Sequence, residues 1–450
     1  MRALGILLQA FYFCNIVVTI DVNQGSIMCD LRNAFGGTLS SWQCSGLNPI
    51  RLCESWSYIT CSESSDVVAI SIVDVKIGGT FPSSIGQLST LTTLNIIGCR
   101  IGGPLPTLSS LNSLSSLILK SNFLSGGFLT FIPSLAKLVV LDLSSNNLQY
   151  SLPSSIGKYS SLETLLISNN KFSGSLPKSI GMLSNLVNVM FNNNTLTGSI
   201  PSGLGLLTKL KYLSLSRNKI TGYFPMISHL TCLEAVDIST NSLQGTIPIY
   251  ISALESLTMI NLTGNKFVGS IPSALFTLTK LSSLYLGENQ ISGTIPSQIY
   301  LLSANLLQLQ LNSTSIYGTI PTALGILSQL NELHLQGASL SGPIPSTIGH
   351  LTKLTSLDLS VNSLNGSIPS SLGSLAQAVT FNLQRNSLTG SIPVSLGALT
   401  KATAFYLQQN AFEGSIPTSL CAMSTVLNLF LDSNLPVSYT HLTLPTIYSV

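Results

Sequence analysis

The chain has 450 residues, of which 45% are hydrophobic and only 8% charged, with a formal net charge of +3. So thin a charge excludes a partner held by a basic field, whether nucleic acid or an acidic membrane surface. Downstream of the N-terminal segment, the apolar residues alternate with Ser, Thr and Asn and never run long enough to span a bilayer.

Met1-Arg2-Ala3 leads into a stretch from Leu4 to Ile20 that is apolar almost throughout, and polarity returns at Asp21. This reads as a secretory signal peptide over residues 1–22, with cleavage between 19 and 26, although no clean A-x-A site is present. Secretion permits disulfides. Just downstream lie Leu39, Trp42 and four clustered cysteines, Cys29, Cys44, Cys53 and Cys61, with Trp56 between the last two.

From about residue 68 to 435 one pattern recurs, L-x-x-L-x-L-x-x-N-x-L-x-G-x-I-P, read most cleanly from Leu281 to Pro296. Its Asn position, n, falls at Val75, Cys99, Asn122, Asn146, Asn170, Asn194, Asn218, Asn241, Asn265, Asn289, Thr314, Ala338, Asn362, Asn386, Asn410 and Asn434, a period of about 24 residues. A unit this short cannot bury its own apolar face and must stack on its neighbours. Residues at n−5 and n−3, such as Leu141 with Leu143 or Leu284 with Leu286, point inward, while n−6, n−4 and n−2 point outward, which is strand alternation. The Asn turns inward, where it has both a donor and an acceptor for backbone groups that no sheet ladder reaches. The following G-x-I-P suits a second short extended segment.

These motifs resemble the plant-type leucine-rich repeat family, whose hallmark is the L-x-G-x-I-P added to the shorter repeat. The resemblance implies an α/β leucine-rich-repeat solenoid, a curved right-handed superhelix with a parallel sheet on its concave face and short extended or 3-10 segments on its convex face. Residues 23–67 resemble that family's N-terminal cysteine-containing cap, and 68–436 hold about sixteen repeats, the last incomplete. The four cap cysteines allow three connectivities. Cys53 with Cys61 and Cys29 with Cys44 are favoured. Cys99, Cys232 and Cys421 lie repeats apart without metal-ligand spacing, so no metal and no cofactor is expected. Cys99 takes an inward Asn position, where a small buried thiol fits.

The outward residues carry no packing duty on this reading and are free to encode a partner. Along n−4, a late stretch gathers groups that both stack and hydrogen-bond: His334, Asp358, Asn382 and Tyr406, flanked by Glu332, Gln336, Gln384, Arg385 and Gln408. An early apolar streak, Ile118, Leu166 and Met190, is the second choice. Sequons at Asn193, Asn261, Asn312 and Asn365 place a sugar on the sheet face at Asn261 and beside strands at Asn193 and Asn312, which leaves Glu332 to Gln408 as the largest sugar-free stretch.

Two neighbouring coils break the Asn ladder, at Thr314 and Ala338, and the step from Asn289 to Thr314 is 25 residues, with the extra one in Ser303-Ala304-Asn305. A local irregularity in stacking is expected over 300–345. The third coil also departs from the pattern, as GGFLTFIPSLAKL from Gly126. The last residues, 437–450, match one reading frame of a transposase sequencing adaptor and are set aside as foreign to the fold.

Signatures of metalloproteases, α/β-hydrolases, P-loop enzymes and kinases are missing from the sequence. The best catalytic constellation is His334 beside Asp358 with Ser360 near, but an open sheet offers neither a pocket nor an oxyanion hole. No enzyme is expected. The family resemblance points to extracellular recognition of a protein, peptide or glycan, with a co-receptor as a second partner, as in the ectodomain of a receptor-like kinase or receptor-like protein. The alternative it offers is a secreted protein resembling polygalacturonase inhibitors, which usually stop near ten repeats. An ice-adsorbing surface ranks last, because the n−4 column lacks regular ranks of Thr or Ser.

Overall fold

The structure, a computed structural model, describes residues 22–37, 39–44, 53, 56–127, 135–421, 423, 425–426 and 428–435. The adaptor-like tail, nearly all of the signal-peptide segment and most of the aberrant GGFLTFIPSLAKL stretch lie outside the described residues. The chain forms two compact units, Met1–Gln149 and Tyr150–Val450.

The first unit opens with a helix, Val22–Ala34, that the repeat pattern did not announce. Its Gln24 accepts a hydrogen bond from the Val67 amide at 2.9 Å, and its last carbonyl sits against Gly79, where any Cβ would come within 1.9 Å of the Ala34 oxygen. The favoured disulfides form, Cys29–Cys44 and Cys53–Cys61, each with Cα atoms 5.8 Å apart. Trp42 and Trp56 are buried and stack at 4.9 Å, and the Trp42 indole donates to the Ser57 carbonyl. Strand Ile59–Cys61 runs antiparallel to Val67–Val73 and closes the sheet edge at the start of the repeats. Beyond it Val67–Val73, Thr93–Ile97, Ser116–Ile118 and Val140–Asp142 pair in parallel, one strand per coil.

In the second unit the same sheet logic runs from Thr164–Leu166 to Asn428–Phe430, always with n−6, n−5 and n−4 of one coil opposite their equivalents in the next. The inward leucines, including Leu284 and Leu286, are wholly buried, as Leu141 and Leu143 are in the first unit. This is a leucine-rich-repeat solenoid. A second series of parallel strands follows each Asn, for example Ser339–Pro343 beside Ser363–Gly366. A 3-10 turn then starts after the motif proline, as in Ser346–His350 after Pro345. The glycine inside that turn is needed for close stacking, since a Cβ on Gly349 would lie 2.2 Å from the Ser371 carbonyl oxygen of the next coil.

The Asn ladder has one recurring geometry. Asn265 Nδ2 donates to the Leu262 carbonyl of its own coil and the Ile238 carbonyl of the coil before, both at 3.0 Å, while its Oδ1 accepts the Leu243 amide at 3.0 Å. Each carboxamide therefore rivets two coils. At Cys99 the thiol takes over the donor role, with Sγ 3.2 Å from the Ile97 oxygen and 3.5 Å from that of Ile72; burial pushes its pKa up. Thr314 reaches only the Leu311 carbonyl of its own coil, and Ala338 has nothing to donate.

The residue before each Asn adopts positive φ whatever its chemistry, from Asn193 at 56° and Arg217 at 52° to the β-branched Thr240 at 51° and Val361 at 55°. Such a conformation costs roughly 1–2 kcal/mol in a residue with a Cβ, and the paired strands on either side hold it in place.

The irregularity expected over 300–345 is confined to the turn side. Strand Gln308–Gln310 keeps full register with Ser283–Tyr285 and Glu332–His334. The extra residue is absorbed by a 3-10 turn of six residues, Ser297–Leu302, where its neighbours have five. The step from Asn218 to Asn241 is one residue short, and no 3-10 turn forms between strands Thr221–Tyr223 and Ala235–Asp237. Sheet register outranks turn geometry because register sets which side chains face the core.

Two substitutions test this account. Asn265→Ala leaves the Leu243 amide without a partner and removes one of two carboxamide donors from the Leu262 and Ile238 carbonyls, which keep Asn289 and Asn241, and is expected to cost about 2 kcal/mol, whereas Ala338→Asn, which restores a rivet, should gain about 1 kcal/mol. Hydrogen exchange of the flanking amides reads both, since long repeat arrays unfold locally. Gly349→Ala forces a backbone oxygen aside and should lower the thermal midpoint by several degrees, against no change for an exposed control such as Ser346→Ala.

Candidate functional site on the first sheet

All of Glu332, His334, Gln336, Asp358, Asn382, Gln384, Tyr406 and Gln408 fall in the second unit, on coils whose strands pair directly. Register puts His334 opposite Asp358, Asp358 opposite Asn382, and Asn382 opposite Tyr406. Seven of these eight side chains are half-buried and the eighth, Asn382, is buried; none stands fully in water.

Asn382 departs from the expectation. It is buried, at 8% exposure, because short side chains in adjacent coils shield one another across a strand gap of about 4.8 Å. Its Nδ2 donates to Asp358 Oδ2 at 3.1 Å and its Oδ1 accepts the Gln384 amide at 3.2 Å. Asn382 is thus a positioning residue for Asp358. The idea that outward residues carry no packing duty fails likewise at n−2, where Ser168, Ser216, Ser239 and Ser360 are buried.

A connected polar network that the column reading missed begins two coils earlier. The Tyr285 hydroxyl and Ser283 Oγ both donate to Gln308 Oε1; Gln308 Nε2 donates to Glu332 Oε1 at 3.0 Å and Gln310 Nε2 to Glu332 Oε2 at 3.4 Å. These residues occupy n−6 and n−4 of consecutive coils, so the signal lay in reading the two columns together. Farther along the face, and apart from this network, Tyr406 stacks on Phe430, with ring centroids 5.2 Å apart. Gln336 Oε1 and Gln408 Oε1 are buried acceptors without a partner.

The His334 and Asp358 side chains stand in adjacent strands but are not joined as a catalytic pair. His334 Nε2 meets Ser356 Oγ at 2.9 Å, and Asp358 spends its oxygens on the Ser360 amide and on Asn382. Ser360 is held through its backbone and is buried.

The second-choice streak is not continuous. Leu166 and Met190 are register partners in the second unit, but Ile118, in the first, has Asp142 as its partner. Asp142 is buried and accepts from Ser144 through both the amide and the hydroxyl. Elsewhere on the second unit, Glu234 is held by the Tyr212 hydroxyl at 2.6 Å and Lys211 at 2.9 Å, which together draw its carboxyl below the ordinary value.

The architecture now meets its relatives. The profile for a leucine-rich repeat region matches residues 103–245, and that for a single leucine-rich repeat matches 256–278, 280–302 and 353–375. A plant peptide hormone receptor, RGFR1, solved with RGF2, is 33% identical at a TM-score of 0.79 over 84% of this chain and 60% of its own. The chain belongs to the plant-type leucine-rich-repeat proteins. A TDR receptor structure is 32% identical at a TM-score of 0.79, over 82% of this chain and 64% of that one. The Arabidopsis receptor kinase HAESA, solved with the peptide hormone IDA and the co-receptor SERK1, is 27% identical at 0.60, over 92% and 82%. This leucine-rich-repeat chain spans less than two thirds of the length of the first two structures. No curated protein sequence matches it.

Proposed function

We propose that this chain is the extracellular recognition module of a plant-type receptor-like kinase or receptor-like protein, and that it captures a peptide or protein ligand on the sheet face from Glu332 to Gln408. The observation that carries this reading is a run of side-chain hydrogen bonds, Ser283 and Tyr285 through Gln308 to Glu332, His334 to Ser356, and Asp358 to Asn382, by which side chains of five successive coils are held in place on an unpaired sheet face. Orientation fixed before binding lowers the entropy lost on association. Two of the similar solved receptors, RGFR1 with RGF2 and HAESA with the peptide hormone IDA, hold a ligand, and HAESA also holds a co-receptor; a peptide ligand and a co-receptor are the partners to expect here. The role is binding rather than catalysis. The cap disulfides suit an oxidising, extracellular compartment. Capture of a cell-wall-degrading enzyme by an inhibitor-like protein is the alternative.

In this reading the sequons are glycosylated on the secretory route. Asn193 and Asn365 are exposed, while Asn261 and Asn312 are half-buried. Asn312 lies one coil before Gln336 in the same column, so a sugar there would border the face. Peptide mass spectrometry after enzymatic deglycosylation in heavy water should find the highest occupancy at Asn193 and Asn365. For the face itself, His334→Ala and Tyr406→Ala should each weaken the binding of peptides selected on the wild-type protein by tenfold or more, with circular dichroism unchanged. Unaltered affinity in both variants would remove the assignment.

A further inference from the structure

The protein as a whole carries a net charge of +3, yet the outward columns of the first sheet from Ser283 to Asp432 contain Glu332, Asp358 and Asp432 and not one Lys or Arg. The cations of the same coils lie outside these columns, Arg385 at the edge of the face beside Gln384, and bond neutral partners. Lys353 Nζ bonds Gln329 Oε1 at 2.6 Å, Arg385 Nε bonds Gln409 Oε1 at 2.6 Å, and Lys401 Nζ bonds Gln377 Oε1. Among the described residues the one ion pair is Lys211 with Glu234, several coils away. His334, the remaining titratable base in these columns, is turned to Ser356.

Both central carboxylates are therefore fixed by neutral donors alone: Glu332 by Gln308 and Gln310, Asp358 by the Ser360 amide and Asn382. A half-buried carboxylate held this way has no counter-charge beside it and attracts a cation more strongly than one in bulk water. The two partnerless acceptors, Gln336 Oε1 and Gln408 Oε1, add a surplus of acceptors over donors on the same face. The complement of such a surface is positive and rich in N–H groups.

We propose that the ligand of this face is an extended peptide segment that sets a Lys or Arg side chain against Glu332 and Asp358. The proposal rests on the reading of this face as the binding site and adds the charge of what it takes. From His334 to Tyr406 the face crosses three strand gaps, about 14 Å, which about four extended residues span. A segment whose free C-terminal carboxylate or acidic side chain landed here would meet like charge and be rejected.

The test is a random dodecapeptide display library panned on the immobilised protein, with the selected peptides then measured on Glu332→Gln, Asp358→Ser and Tyr406→Ala variants. Serine is native at the Asp358 position of another coil, at Ser214, so Asp358→Ser is compatible with the strand. Enrichment of Lys or Arg at one position, a loss of tenfold or more in affinity on either carboxylate variant, and weakening with added NaCl are expected. Peptides that show no cationic preference, yet still lose affinity on Tyr406→Ala, would overturn the charge assignment and leave the site standing. Peptides that bind every variant equally, or failure to select any peptide, would overturn both.

Discussion

The structure depends on one inward carboxamide per coil. A parallel sheet satisfies the strands, but the chain must then turn, and the carbonyls and amides at that turn face an apolar interior where water does not follow. An Asn side chain supplies a donor and an acceptor in the same plane, which is why a single residue ties Leu262 and Ile238 on one side and Leu243 on the other through Asn265. Leucines fill the interior, yet burial alone is non-directional. The carboxamide converts a pile of apolar coils into a stack with one register.

Register is what makes a recognition face possible. Once equivalent residues of successive coils stand about 4.8 Å apart, side chains from distant points of the sequence become neighbours, and a network such as Tyr285, Gln308 and Glu332 assembles from three coils. Pairing also has a price in accessibility: Asn382 and Ser360 are drawn under their neighbours and serve by holding Asp358 and the strand rather than by touching a ligand. The half-buried state of the remaining face residues suits recognition, because a carboxylate partly withdrawn from water discriminates between charges more sharply than one freely solvated.

The sequence made the architecture legible wherever chemistry repeats. Period, inward leucines, the Asn ladder and the adjacency of His334 with Asp358 follow from spacing alone, whereas the cap cysteines left three connectivities open, of which the favoured one forms. What escaped it was set by neighbours rather than by the residue itself. The positive φ before each Asn occurs at Asn, Arg, Thr and Val alike, so no residue type betrays it. The helix Val22–Ala34 lies between the apolar leader and the first repeat, where no repeating pattern announces it. Burial of Asn382 and the Gln308 to Glu332 bond came from cross-coil packing, which a column read singly does not contain. The irregularity expected over 300–345 left the strands untouched, because backbone pairing held the register and the turn at Ser297–Leu302 took up the extra residue.

That displacement of slack separates two jobs within every coil. The 25-residue step lengthens the turn at Ser297–Leu302, and the 23-residue step from Asn218 to Asn241 does without one, while the sheet beside each stays aligned. The turn side works as an expansion joint. A codon gained or lost there leaves the sheet unaltered, so the face proposed for binding changes only by substitution in the sheet itself.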